Sequence, residues 1–207
     1  MTDRLPFFAS CSPGLESIAA AEFRSLGFMP AKAVPGGVEI SGGPLHLYRA
    51  NLWSRVSSRI LVRLGSVRAT AFDELRRKTA DLPWENHLRP GQPVRINAST
   101  HKSRLHHTGA IAERIAAAIG QRLGTPPAWT LNKSLETDGA QTQALVVVRF
   151  DHDQCWVSID SSGEDLHRRG YRLAAAKAPL RETLAAGMLL ACGWDPAAVA
   201  AVSGWAI

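Results

Sequence analysis

Residues 99–115 read STHKSRLHHTGAIAERI, and the parsing of this stretch decides the fold. Just before it, Val94–Ser99 (VRINAS) alternates apolar and polar residues, the two-residue period of a strand. After it, Ile111, Ile115 and Ile119 recur at helical spacing, and Gly124-Thr125-Pro126-Pro127 stops the helix. Between strand and helix runs Thr100–Thr108, basic and rich in hydroxyls, with Thr108 placed to cap the helix. Free amides and the positive end of the helix dipole point into such a loop, which makes it a candidate phosphate site. Lys102 and Arg104 add charge; Ser103 and Thr108 add hydrogen-bond donors. A metal reading of His106-His107 fails because adjacent side chains diverge and no third ligand stands at a useful spacing.

Downstream, Leu145–Phe150 (LVVVRF) is a β-branched run, read as a buried strand. Asp151–Gln154 is a four-residue turn, and its two aspartates are turn formers. Cys155–Asp160 alternates, with Cys155, Val157 and Ile159 on one side. This hairpin is expected to pair with Val94–Ser99 and to pack the Thr108 helix. Ala71–Leu82 is predicted as a helix, supported by Glu74 and Lys78 four residues apart.

Upstream, the pattern is complete in itself. Leu5–Cys11 is a short apolar strand, and Ser12-Pro13 signals a helix start. Leu15, Ile18, Ala19, Phe23 and Leu26 follow at helical spacing, closed by Gly27. Gly36-Gly37 turns between extended segments at Ala31–Val34 and Val38–Ile40. A helix over Pro44–Asn51 and a strand over Arg59–Val67 complete β-α-β-β-α-β, the ferredoxin-like order. Arg49, Arg55, Arg59, Arg63 and Arg68 form a run without an acid. They read either as a phosphate-facing stripe, or as solvated edge arginines or partners of acids on the neighbouring domain.

The totals agree with a basic globular protein. The 207 residues carry a formal charge of +6, which favours polyanionic partners. The three cysteines are far apart, with no CxxC pair, as in a reduced cytoplasmic protein. No signal-peptide core and no apolar run of membrane-spanning length occurs.

The last part, Ser158–Ala186, reads SIDSSGEDLHRRGYRLAAAKAPLRETLAA. Arg168, Arg169, Arg172, Lys177 and Arg181 cluster there around Tyr171, an aromatic that could stack on an unpaired base. A solvated linker with Tyr171 packed on a domain surface is the alternative. Pro179 is predicted to open a helix with Leu180, Leu184 and Met188 on one stripe, and Gly193 to close it. That stripe would be adhesive if left uncovered.

Four segments, in order, resemble a known family: NLWSRVSSRILVRL (Asn51–Leu64), Ser99–Ile115, SIDSSGEDLHRRGYR (Ser158–Arg172) and APLRETLAA (Ala178–Ala186). They are similar to the N-terminal region of the bacterial 23S rRNA guanine-N2 methyltransferases, which join a ferredoxin-like domain and a THUMP domain to a class I methyltransferase domain. The resemblance implies an α/β (α+β) chain. Its parts would be a ferredoxin-like domain over residues 1–68, a THUMP RNA-binding domain over 69–163, and a basic linker and connector helix over 164–207. It implies RNA as partner, 23S rRNA foremost and tRNA as the alternative. The RNA-binding set is expected to be Lys102, Ser103, Arg104, His106, Thr108, Arg168, Arg169, Tyr171 and Arg172.

The family uses S-adenosylmethionine, held by an Asp-Pro-x-Cys-Gly-Ser-Gly-Thr type loop, and an Asn/Asp-Pro-Pro-Tyr type motif holds the guanine. Neither motif occurs in these 207 residues. No catalytic, cofactor or metal residue is therefore assigned, and the methyltransferase domain is expected to be missing from the chain. A free-standing RNA-binding protein is the other reading.

Overall fold

The computed structural model describes residues 4–132, 143–170 and 179–194. The elements are β1 (Leu5–Ser10), α1 (Glu16–Ser25), β2 (Lys32–Val34), β3 (Gly37–Gly42), α2 (Pro44–Trp53) and β4 (Arg59–Arg68). They continue with α3 (Phe72–Ala80), a 3-10 turn at Trp84–Asn86, β5 (Val94–His101), α4 (Thr108–Leu123), β6 (Trp129–Leu131), β7 (Ala144–Asp151), β8 (Gln154–Asp160) and α5 (Glu182–Ala191).

The eight strands among the described residues join one sheet, in the order β2-β3-β1-β4-β8-β7-β5-β6. The first four make the antiparallel ferredoxin-like set. The last four are mixed: β5 pairs in parallel with both β6 and β7, while β7 and β8 form the expected hairpin. The two halves meet where β4 pairs antiparallel with β8. Nothing in the local pattern of either strand announces that pairing. β4 pairs with β1 over Arg59–Val62 and with β8 over Leu61–Arg68, with a register shift between Arg63 and Gly65.

The sheet has one helix-covered face. Ile40, Phe7, Val62, Ile159, Val146, Ile96 and Leu131 are register partners in one row across it. Under α1 and α2 this row joins a core with Phe23 and Phe28; under α3 and α4 it joins one with Leu75, Trp84, Ile111, Ile115 and Ile119. Each fully buried side chain of this size contributes about 1.5–3 kcal/mol. The stripe predicted on α4 is thus its core face.

Several boundaries differ from the sequence reading. α1 begins at Glu16, not at Ser12-Pro13, because Gly14 takes a positive φ of 89° that a helix cannot hold. The Glu16 carboxylate then accepts from the amides of Gly14 and Gly36, tying the loop to the β2–β3 turn. Thr108 starts α4, but His107 is the N-cap and no side chain caps it. α5 begins at Glu182, three residues after Pro179. It turns Thr183, Gly187 and Leu190 toward α1 and leaves Met188 and Leu189 exposed, so its inner face is not the predicted stripe. β6 was not foreseen.

Candidate nucleic-acid interface

The Ser99–Ile115 stretch forms a built turn rather than a loose loop. Lys102 sits at φ 44°, in the left-handed region. Ser103 Oγ donates to the His101 carbonyl at 2.9 Å and accepts from the Asp153 amide at 3.0 Å. Asp153 Oδ1 accepts from the Arg104 amide at 2.8 Å. The β5–α4 loop is therefore clamped to the β7–β8 turn. Ser103 supplies structure there, while Lys102 and Arg104 hold exposed side chains at its rim. His106 Nδ1 lies 3.0 Å from the Arg104 carbonyl and stacks near His107, with ring centroids 4.3 Å apart. Thr108 follows at the first turn of α4, where amide donors are free.

The parallel register of β5 and β7 places His101 opposite Asp151. Asp151 Oδ1 lies 2.8 Å from His101 Nδ1 and 2.9 Å from His152 Nδ1. The His101 contact leads in holding Asp151 below the usual carboxylate range. The three ligand atoms lie within 4.8 Å of one another, a donor set of the imidazole–carboxylate kind. The sequence excludes a metal at His106-His107 and gives no local sign of this group. Its members are fifty residues apart, and only the β5–β7 register joins them.

The remaining predicted residues divide. Arg169 donates to the carbonyls of Leu52, Asn51 and Ser54 at 3.1, 2.9 and 2.7 Å, closing the C-terminal end of α2. A phosphate contact by Arg169 would have to share or break those bonds. Arg168 is exposed, with its amide bonded to the Asp165 carbonyl. Tyr171 and Arg172 lie outside the described residues. Of the arginine run, Arg59 is 1 % exposed and pairs with Asp160 and Asp165, and Arg55 pairs with Glu22. Arg59 thus pairs with acids of the neighbouring half, whereas Arg55 pairs with an acid of its own half.

The face of the sheet opposite the helices holds a cavity of about 860 Å³ between β1 and β5. Arg63, Arg149 and Trp156 line it, and at one end Ser99, Thr100 and His101 lead up to the basic turn. Its floor contains a small apolar strip of Phe8, Leu61 and Val147.

The turn that opens α4 does not fit a seat for S-adenosylmethionine. Among the described residues, the loop that opens α4 between the adjacent parallel strands β5 and β6, Lys102–His107, contains no glycine. Close approach of backbone to a nucleotide-like cofactor at such a turn needs glycine.

The chain is thus a mixed α/β structure in which a ferredoxin-like half is joined to a half with parallel strands, and the basic turn lies within the second half. Residues 6–61 match the RlmL ferredoxin-like domain and residues 69–160 match the THUMP domain, so the chain carries these two domains in that order. It is 35 % identical to slr0064 of Synechocystis sp., provisionally named an RNA methyltransferase, over 92 % of this chain and 49 % of that one. It is 36 % identical to the ribosomal RNA large subunit methyltransferase K/L of Allochromatium vinosum, over 94 % of this chain and 26 % of that one. Among solved structures, a predicted N6-adenine-specific DNA methylase of Listeria monocytogenes superposes with TM-score 0.77 at 33 % identity, covering 91 % of this chain and 48 % of that one. The chain thus spans half or less of the length of these relatives. Among the described residues no helix is long and apolar enough to cross a membrane.

Proposed function

We propose that these 207 residues are the RNA-holding part of an S-adenosylmethionine-dependent methyltransferase of large-subunit rRNA, acting on the guanine N2 amino group. The observation that carries this reading is the THUMP domain at residues 69–160 in a chain similar over nine-tenths of its length to rRNA methyltransferases K/L. The parts are a ferredoxin-like unit over 1–68, the THUMP unit over 69–163 and a connector over 164–207. The Lys102–Thr108 turn grips the backbone of structured RNA, and Arg168, with Tyr171 and Arg172 close by in the sequence, adds to the RNA-binding set. A methyltransferase domain would supply the glycine-rich cofactor loop and receive the base once it is unstacked.

The test is binding of the chain to 23S rRNA hairpins, to tRNA and to DNA of the same sequence across a salt series. A steep fall in affinity with salt, and a preference for RNA over DNA, are the expected results. A flat salt response, or equal binding of DNA, overturns the reading. Calorimetry with S-adenosylmethionine should give no binding heat, and a 1:1 isotherm would overturn the assignment of the cofactor seat to another domain.

A further inference from the structure

The face of the sheet that no helix covers among the described residues carries a cluster that the basic turn does not explain. The guanidinium carbon of Arg63 lies 4.6 Å from the ring centroid of Phe8 and 6.0 Å from that of Trp156. Arg149 is the register partner of Trp156 on the adjoining strand. Arg63 faces one carboxylate among the described residues, Glu39, at 3.8 Å, and its Nε has no hydrogen-bond partner. Burial depresses the Arg63 pKa, Glu39 opposes this, and the charge of Arg149 adds to it. Arg149 spends one N–H on the Pro35 carbonyl at 3.3 Å. Two guanidiniums are therefore held near each other over an apolar floor with one loose counter-ion. An anion bridging them would relieve that repulsion with charge-assisted hydrogen bonds.

The rest of the groove says which anion. Free phosphate would leave the half-buried Trp156 ring and the apolar floor unused. A duplex hides its base faces and offers phosphates and sugars. An unpaired nucleotide offers both a phosphate and a flat ring, and bases stack on aromatic side chains without regard to sequence. A volume of about 860 Å³ is within the range of pockets that enclose small organic ligands.

We propose that this groove binds single-stranded RNA, with an unpaired base against Trp156 and its phosphate between Arg63 and Arg149. The proposal rests on the RNA-binding reading above and deepens it. The Lys102–Arg104 turn takes the backbone of the structured part, and the groove, which reaches that turn through Thr100 and His101, takes a nucleotide displaced from it.

The experiment is fluorescence anisotropy of the 207-residue chain with two labelled probes, an unstructured six-nucleotide RNA and a blunt RNA duplex. Trp156→Thr should weaken hexamer binding about 5- to 150-fold, the span of one base–ring stack, and leave duplex binding unchanged. Trp156→Phe, which keeps a ring, should retain most of the hexamer affinity. Arg149→Ala should weaken the hexamer and lower its salt slope by about one phosphate contact. Melting temperatures of the three variants check the fold. Hexamer binding by Trp156→Thr at the wild-type level, or equal losses for both probes in a folded variant, overturns the groove assignment. A wild-type chain that binds the duplex but not the hexamer overturns the groove and leaves the RNA-binding reading standing. Binding of neither probe overturns both.

Discussion

Arg59 of β4 donates from Nη1 to Asp160 of β8 at 2.7 Å, across the strand pair that joins the two halves of the sheet. Its Nε lies 3.0 Å from Asp165, and all three side chains are shielded from solvent. Burial raises the Asp160 pKa even with Arg59 beside it. Removing Arg59 would strand two carboxylates in the interior. Arg59→Met should cost about 3–5 kcal/mol in urea unfolding, the size of a broken buried pair. If Arg59 were instead a phosphate contact, the variant would keep its stability and lose RNA affinity.

Lys102 and Arg104 should behave in the opposite way. The turn that carries them is held by Ser103 and Asp153, not by the basic side chains. Lys102→Ala with Arg104→Ala should therefore leave the melting temperature almost unmoved. It should lower the slope of log affinity against log salt by about one per lost contact, uniformly across RNA sequences. Unchanged affinity would make the turn a helix entry only. Ser103→Ala is the control, expected to loosen the turn without removing charge.

These contrasts show what was legible in the sequence. The helices and most strands were, because Phe23, Ile111, Ile115 and Val157 each sit at the period of their own element. The arrangement of the halves was not. The β4–β8 pair is made by backbone hydrogen bonds between segments about one hundred residues apart, and local periodicity carries no signal for it. Only its ion pair left a trace, as an arginine run with two open readings. β6, three residues with two exposed, has no pattern to find. Arg169 looked like a phosphate ligand because charge is visible in a sequence, whereas the open carbonyls at the end of α2 are not. The Trp156–Arg63–Arg149 groove was invisible for the same reason. It is assembled from three strands, and each contributes one residue that looks like an ordinary outward-facing position.

Arg169 gives a separable test. Its three bonds to α2 carbonyls are charge-assisted, and each such bond contributes about 1.5–3 kcal/mol when well formed; solvent exposure places the total near the low end. Arg169→Ala should lower the melting temperature and speed hydrogen exchange at the last turn of α2, while the salt slope for RNA stays put. A fall in the slope at constant stability would return Arg169 to the RNA-binding set.

Acid should act through α3. The Glu74 carboxylate accepts from Lys78 Nζ at 2.7 Å and from the Thr70 amide at 2.9 Å. The Lys78 bond, then the Thr70 bond, brings its pKa from 4.5 down to about 2. The folded state thus binds this proton less readily than the unfolded chain. Its stabilising contribution is present above the unfolded value and is lost as pH falls from 4.5 toward 2. Glu74→Gln should remove that contribution, so the melting temperature of the variant falls less than wild type over this interval. Parallel acid limbs would mean the pair is too exposed to matter.

The three cysteines should separate by reactivity. Cys155 lies inside the α3–α4 core and burial pushes its thiol up to about 12. Cys11 is also buried and raised to about 11, first by burial and then by the charge of Glu16. Cys192, just past the end of α5, is exposed. Since the thiolate is the reacting species, a chromogenic disulfide reagent at pH 8 should modify Cys192 promptly in the native chain. The other two should react at the rate of global opening and become fast together in denaturant. Cys192→Ser should abolish the rapid phase. Fast modification of Cys11 would show that the β1–α1 loop, held by Glu16 to Gly14 and Gly36, opens far more often than the sheet it borders.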